Sequence, residues 1–85
     1  MLFSRELRFR DQGPDVKFLQ QFLLAIGMGS EIPDLVANGK FDGPTENAME
    51  KVQVNFRIPV TRVFDAETRA AVANFHGFCF DNIPD

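Results

Sequence analysis

A five-residue string occurs twice in this chain, 23 residues apart, and each copy opens a stretch with helical spacing. Phe41-Asp42-Gly43-Pro44-Thr45 is echoed by Phe64-Asp65-Ala66-Glu67-Thr68. The echo runs on, with Ala48, Met49 and Val52 matched by Ala71, Val72 and Phe75. The pattern has a physical logic. An Asp just before a helix accepts a hydrogen bond from a backbone N–H about three residues on, and its charge suits the positive helix end. The Thr in the first turn adds a local bond. The Phe ahead of the cap folds back onto the helix as a staple. Each copy is therefore an aromatic anchor, a cap and an amphipathic helix.

Apolar periodicity supplies the third element. Val16, Leu19, Phe22, Leu23 and Ile26 recur at three- and four-residue steps, with Phe18 and Leu24 beside the stripe. Pro14 suits a first helical turn, and Gly27 and Gly29 are expected to stop the helix. The expected fold is all-α: a small three-helix bundle with a pseudo-repeat, its helices at 15–26, 44–56 and 66–75. Pro59 is expected to close the second helix. Between the first two lies a turn-rich stretch, 28–40, in which Ile32, Leu35 and Val36 are candidates for a short helical turn. The expected core is Val16, Leu19, Leu23, Phe41, Met49, Val52, Phe64, Val72 and Phe75. Leu7 and Phe9 are expected to anchor the N-terminal stretch. One domain over 1–85 is expected, with its core at about 7–76 and a tail at 77–85.

Composition narrows the function. The 85 residues contain one His and one Cys, which excludes an internal disulfide, a Cys-rich metal site and a His-pair site. His76 and Cys79 are three residues apart, but a nucleophile also needs an oriented base and an oxyanion site. No catalytic residue, metal or cofactor is expected. A net charge of -3 argues against a nucleic-acid partner. No apolar run approaches the roughly 18 residues of a membrane span. Met1 to Arg5 lacks a signal-peptide layout, so the expected location is cytoplasmic as synthesised, unless a partner or a larger protein carries the chain elsewhere.

Three segments together resemble the peptidoglycan-binding domain of cell-wall hydrolases. The stretch Leu7-Arg8-Phe9-Arg10-Asp11-Gln12-Gly13-Pro14-Asp15-Val16-Lys17-Phe18-Leu19-Gln20 follows the family's first-helix pattern. Asn38-Gly39-Lys40-Phe41-Asp42-Gly43-Pro44-Thr45, followed by Val52-Gln53, resembles its middle. Thr61-Arg62-Val63-Phe64-Asp65-Ala66-Glu67-Thr68 resembles its last part. The chain departs from the pattern in its loops. Arg10, Asp42, Arg62 and Asp65 stand where glycine is usual, and Asn38 and Thr61 replace aspartates. The resemblance implies a noncatalytic module that binds peptidoglycan and targets a partner, often a hydrolase, to the wall. The ligand-binding candidates it implies are Asn38, Gly39, Asp42 and Thr45 at the helix start, with Gln53 and Arg57 toward the second helix's far end. The alternative is a protein–protein adaptor or structural component, as in a phage or secretion system, that keeps the fold without binding the wall.

Overall fold

The computed structural model describes residues 6–76, the side chains of Phe75 and His76 excepted. The expectations for the Phe75 side chain, His76, Cys79, the first five residues and the 77–85 tail lie outside the described residues.

The periodic stretches form helices: α1 (Pro14–Ala25), a four-residue α2 (Met28–Glu31), α3 (Gly43–Phe56) and α4 (Ala66–His76). Among the described residues there is no strand, only the isolated antiparallel bridges Leu7–Phe64 and Gln12–Lys40. Pro14 occupies the first turn of α1, as its missing N–H allows. α1 ends where Gly27 turns left-handed at φ 93°. The short helix differs from expectation in register. It begins at once after Gly27, and Ile32 and Leu35 follow it as buried anchors while Val36 faces solvent. α3 is stopped not by Pro59 but two residues earlier. Arg57 turns left-handed at φ 59°, and the N–H groups of Arg57 and Ile58 donate to the carbonyls of Val54 and Gln53. That is a Schellman closure with arginine in the place glycine usually takes.

The core contains every expected residue whose side chain is described: Val16, Leu19, Leu23, Phe41, Met49, Val52, Phe64 and Val72. Phe41 and Phe64 are buried in that core, although the residues a staple would meet four positions into the helices, Glu46 and Arg69, are charged. Leu7 anchors the N-terminal stretch, but Phe9 does not. Its ring is 48% exposed, with the Arg10 guanidinium 5.9 Å from its centroid. The stretch lies as a strap across both repeats. Leu7 exchanges N–H···O bonds with Phe64, the Arg10 N–H donates to the Phe41 carbonyl, and the Phe41 N–H donates to the Asp11 carbonyl. Alternation along a strap this short is broken by the turn at Arg8–Asp11, where the Asp11 N–H donates to the Arg8 carbonyl.

The two caps are unequal. Asp65 Oδ1 accepts from the Thr68 N–H at 2.9 Å and from the Thr68 hydroxyl at 2.7 Å, and its Oδ2 accepts from Thr61 Oγ1 at 3.1 Å. Asp42 makes no side-chain cap bond to the backbone of α3, contrary to expectation, and among the described residues its carboxylate receives only the Thr45 hydroxyl, at 3.3 Å. Burial pushes the Asp65 carboxyl up, but the Thr68 and Thr61 hydrogen bonds outweigh it and hold the group below its ordinary value. A lowered folded-state pKa contributes stability that is complete above the unfolded value of about 3.9 and is lost as pH falls through the folded value. Asp65→Ala is expected to cost about 1 kcal/mol at pH 7. That is a fall of about 4–8 °C in Tm for a domain of this size. The difference from the parent should shrink as the pH is taken below the carboxyl's range, and Asp42→Ala should cost less than Asp65→Ala. Equal melting temperatures for parent and Asp65→Ala at pH 7 would remove the cap.

Candidate functional site

The loop ahead of α3 is held from inside by a single side chain. Gln20 lies on the buried stripe of α1, between Val16 and Leu23, and is fully buried. Its Nε2 donates to the Lys40 carbonyl at 2.8 Å, to Thr45 Oγ1 at 2.9 Å and to Asn38 Oδ1 at 3.2 Å. Its Oε1 accepts the Gly39 N–H at 2.8 Å. A primary amide is one of the few side chains able to serve both donors and acceptors of a tight loop at once.

Gln53 does the same for the second repeat. Its Nε2 donates to the Val63 carbonyl and to the hydroxyls of Thr61 and Thr68, each at 3.0 Å. Its Oε1 accepts the N–H groups of Thr61 and Arg62 at 3.0 and 2.9 Å. The bonded positions 38, 39, 40 and 45 in the first loop correspond to 61, 62, 63 and 68 in the second, at the same 23-residue offset as the sequence repeat. The backbone geometry repeats too. Gly39 has φ 79° and Arg62 has φ 62°. Arg10, the other arginine at a usual glycine position, also lies left-handed, at φ 81°. The chain therefore keeps glycine-type backbone at both places while carrying a Cβ, a strain of about 1–2 kcal/mol per residue. At Arg62 the Gln53 bond to its N–H and an exposed ion pair with Glu50 at 3.1 Å accompany that strain.

The six sequence-derived candidates are not one cluster. Asn38, Gly39, Asp42 and Thr45 gather at the start of α3. Thr45 and Gln53 are fully buried, with their polar atoms hydrogen-bonded inside the protein, so in this structure they shape loops rather than face solvent. Arg57 is exposed at the opposite end of α3, about 18 Å of helical rise from Thr45. Gln20, the central residue of the network, is missing from the candidate set. Its signal was a polar residue inside an apolar stripe, directly after a core position, as Gln53 follows Val52.

On the outside, Asn38, Gly39 and Lys40 line an open concavity of about 340 Å³ with Gln12, Gly13, Pro14 and Lys17. Asn38 is exposed, and its amide nitrogen has no internal partner among the described residues. Lys17 and Lys40 are both exposed, and no hydrogen bond or ion pair engages the side chain of either among the described residues. Lys17 thus borders the loop itself. The loop is also tightly seated. The Gly13 N–H donates to the Gly39 carbonyl at 2.9 Å, and a Cβ on Gly39 would lie 3.3 Å from the Gly13 carbonyl oxygen. Among the described residues no group of three or more His, Cys, Asp or Glu is placed to hold a metal ion. No helix among them is long and apolar enough to cross a membrane.

Comparison with known proteins accords with this architecture. The crystal structure of the SleB N-terminal domain superposes with a TM-score of 0.74 at 23% identity, covering 87% of this chain and 96% of that one, a likeness of fold. Among curated proteins none matches the chain. The model of the family described as "Putative peptidoglycan binding domain" matches residues 12–72, which takes in both repeated five-residue strings and the whole of α1 and α3. That family is a noncatalytic binding module. Over most of its length, and in the fold that length adopts, this chain is a member of the peptidoglycan-binding domain family.

Proposed function

We propose that the chain holds a partner, such as a cell-wall hydrolase, against peptidoglycan, without itself cutting the wall, and that the loop from Asn38 to Thr45 makes the contact. The observation that carries this is the division of labour in the loop. Gln20 takes up the inward-facing groups, and the outward side leaves the Asn38 amide and two ammonium groups around one concavity. Lys17 and Lys40 are suited to carboxylates, which stem peptides carry. Asp42 is half-buried at the edge of that surface and disfavours an anion close to it. A shallow site of this kind binds weakly in one copy, and the polymeric wall raises retention through effective concentration.

The test is co-sedimentation with purified insoluble peptidoglycan. The parent chain should pellet with walls at low and moderate salt and release no soluble muropeptides. Gly39→Val forces a branched side chain into a left-handed position against Gly13. It should lower both Tm and retention, whereas Gln21→Ala, on the exposed side of α1, should change neither. Lys17→Ala combined with Lys40→Ala should lower retention at unchanged Tm. A parent chain that stays in the supernatant with walls of more than one chemotype would leave the adaptor reading in its place.

A further inference from the structure

A second concavity, larger than the one beside the Asn38–Lys40 loop, lies at the start of α3. It has a volume of about 730 Å³, within the usual range for small-ligand pockets. One wall is the outward face of α3, where Asn47, Lys51, Val54 and Asn55 follow helical spacing opposite the buried Ala48, Met49 and Val52. The other wall is the end of α2 and the turn after it, carrying Glu31 and Asp34. Ile32, Pro33 and Pro44 supply apolar surface between them. Val54 is 55% exposed, a large apolar side chain that the core does not use.

The polar groups of this groove differ from those of the loops. In the loops nearly every inward polar atom is taken. Here Glu31, Asp34, Asn47, Lys51 and Asn55 have no side-chain hydrogen bond or ion pair among the described residues, and only Glu50 is engaged, by Arg62. The unpaired charges are also segregated: two carboxylates stand on one wall and one ammonium with two amides on the other, where the Glu50 carboxylate is taken by Arg62. That arrangement complements a ligand with an ammonium on one side and a carboxylate or backbone carbonyls on the other.

We propose that this groove takes a short peptide bearing a free amine and a carboxylate, the chemistry of a peptidoglycan stem peptide, with Glu31 and Asp34 receiving the ammonium and Lys51 the carboxylate. The inference rests on the wall-binding reading above and adds a requirement for the unblocked amine. The apolar floor takes the methylene stem of the amine-bearing side chain, and Asn47 and Asn55 serve the peptide backbone.

The experiment compares retention on native peptidoglycan with retention on the same peptidoglycan after exhaustive N-acetylation of its free amines. Three chains are used: the parent, Glu31→Gln/Asp34→Asn, and the charge-matched Glu6→Gln/Glu67→Gln, with thermal melts on each. Acetylation should weaken retention of the parent and of the charge-matched chain about five-fold or more, the loss of a charge-assisted contact. Glu31→Gln/Asp34→Asn should bind the native wall as weakly as the parent binds the acetylated one, and acetylation should not weaken it further. A parent chain retained equally on both walls overturns the amine assignment and leaves wall binding standing. So does a Glu31→Gln/Asp34→Asn chain that is as sensitive to acetylation as the parent, because general charge repulsion then explains the effect. A parent chain retained on neither wall overturns both readings.

Discussion

Gln20→Leu is expected to destabilise the protein by about 3–5 kcal/mol, the range of a broken buried hydrogen-bond network. Leucine keeps the apolar packing of α1 but leaves the Gly39 N–H, the Lys40 carbonyl and the Thr45 hydroxyl without the partner they have inside. Each buried group left unsatisfied costs about 1–3 kcal/mol, less whatever the loop recovers by opening to water. Gln53→Leu should cost a similar amount, because the second loop hangs on the same kind of amide. The two variants should differ in binding. At a temperature where both remain folded, Gln20→Leu should lose wall retention along with the order of the Asn38–Thr45 loop. Gln53→Leu should keep its retention per folded molecule. Thermal melts followed by circular dichroism give the first quantity, and co-sedimentation scaled to the folded fraction gives the second. Hydrogen exchange at the Gly39 amide is a direct readout of the loop and should accelerate in Gln20→Leu alone. A Gln20→Leu chain that melts with the parent would mean that water replaces the amide at little cost.

The second large effect concerns the strap. Leu7→Ala removes a fully buried side chain from the core and should cost about 2–5 kcal/mol. A chain beginning at Gln12, where the family match starts, should show no cooperative thermal transition at all. It loses Leu7 together with the paired bonds to Phe64 and the bonds that join Arg10 and Asp11 to Phe41. Those bonds tie the two repeats through the residue just ahead of each helix. Small domains hold only about 5–15 kcal/mol in total, so losing a core side chain and several backbone bonds consumes most of it. A sigmoidal melt of the shortened chain near the parent's Tm would show that the strap is dispensable.

Arg10, Arg57 and Arg62 show how far a loop's shape outlasts its usual residue. All three sit at positive φ, where glycine is the ordinary choice, and in each case surrounding bonds dictate the backbone. Arg62 is held by Gln53, Arg57 by the helix closure and Arg10 by Phe41. Left-handed backbone in these loops therefore accommodates arginine, whose side chain reaches the surface, where the surrounding bonds hold the turn.

What the sequence by itself determined were the features that depend on neighbours along the chain. Helical spacing placed α1, α3 and α4 and the core members they carry, Val16, Leu19, Leu23, Met49, Val52 and Val72. The 23-residue echo identified both buried phenylalanines, Phe41 and Phe64, and the Asp65 cap, since a cap needs only its own first turn. Tertiary structure decided whatever depends on partners far along the chain. It buried Leu7 at its bridge to Phe64 and left Phe9 outside, because the chain turns at Arg8–Asp11 directly after that bridge. It gave Gln53, named as a ligand-contact candidate, the part of a loop holder and revealed Gln20 as its twin, because a buried amide's bonds are set by which loop it meets. It left Asp42 without the cap bond that Asp65 makes, although the two share a sequence position in the repeat. It also set α2 and its following turn against the outer face of α3 to form the groove, since helical periodicity reports which face turns inward but not what will stand opposite the face turned out.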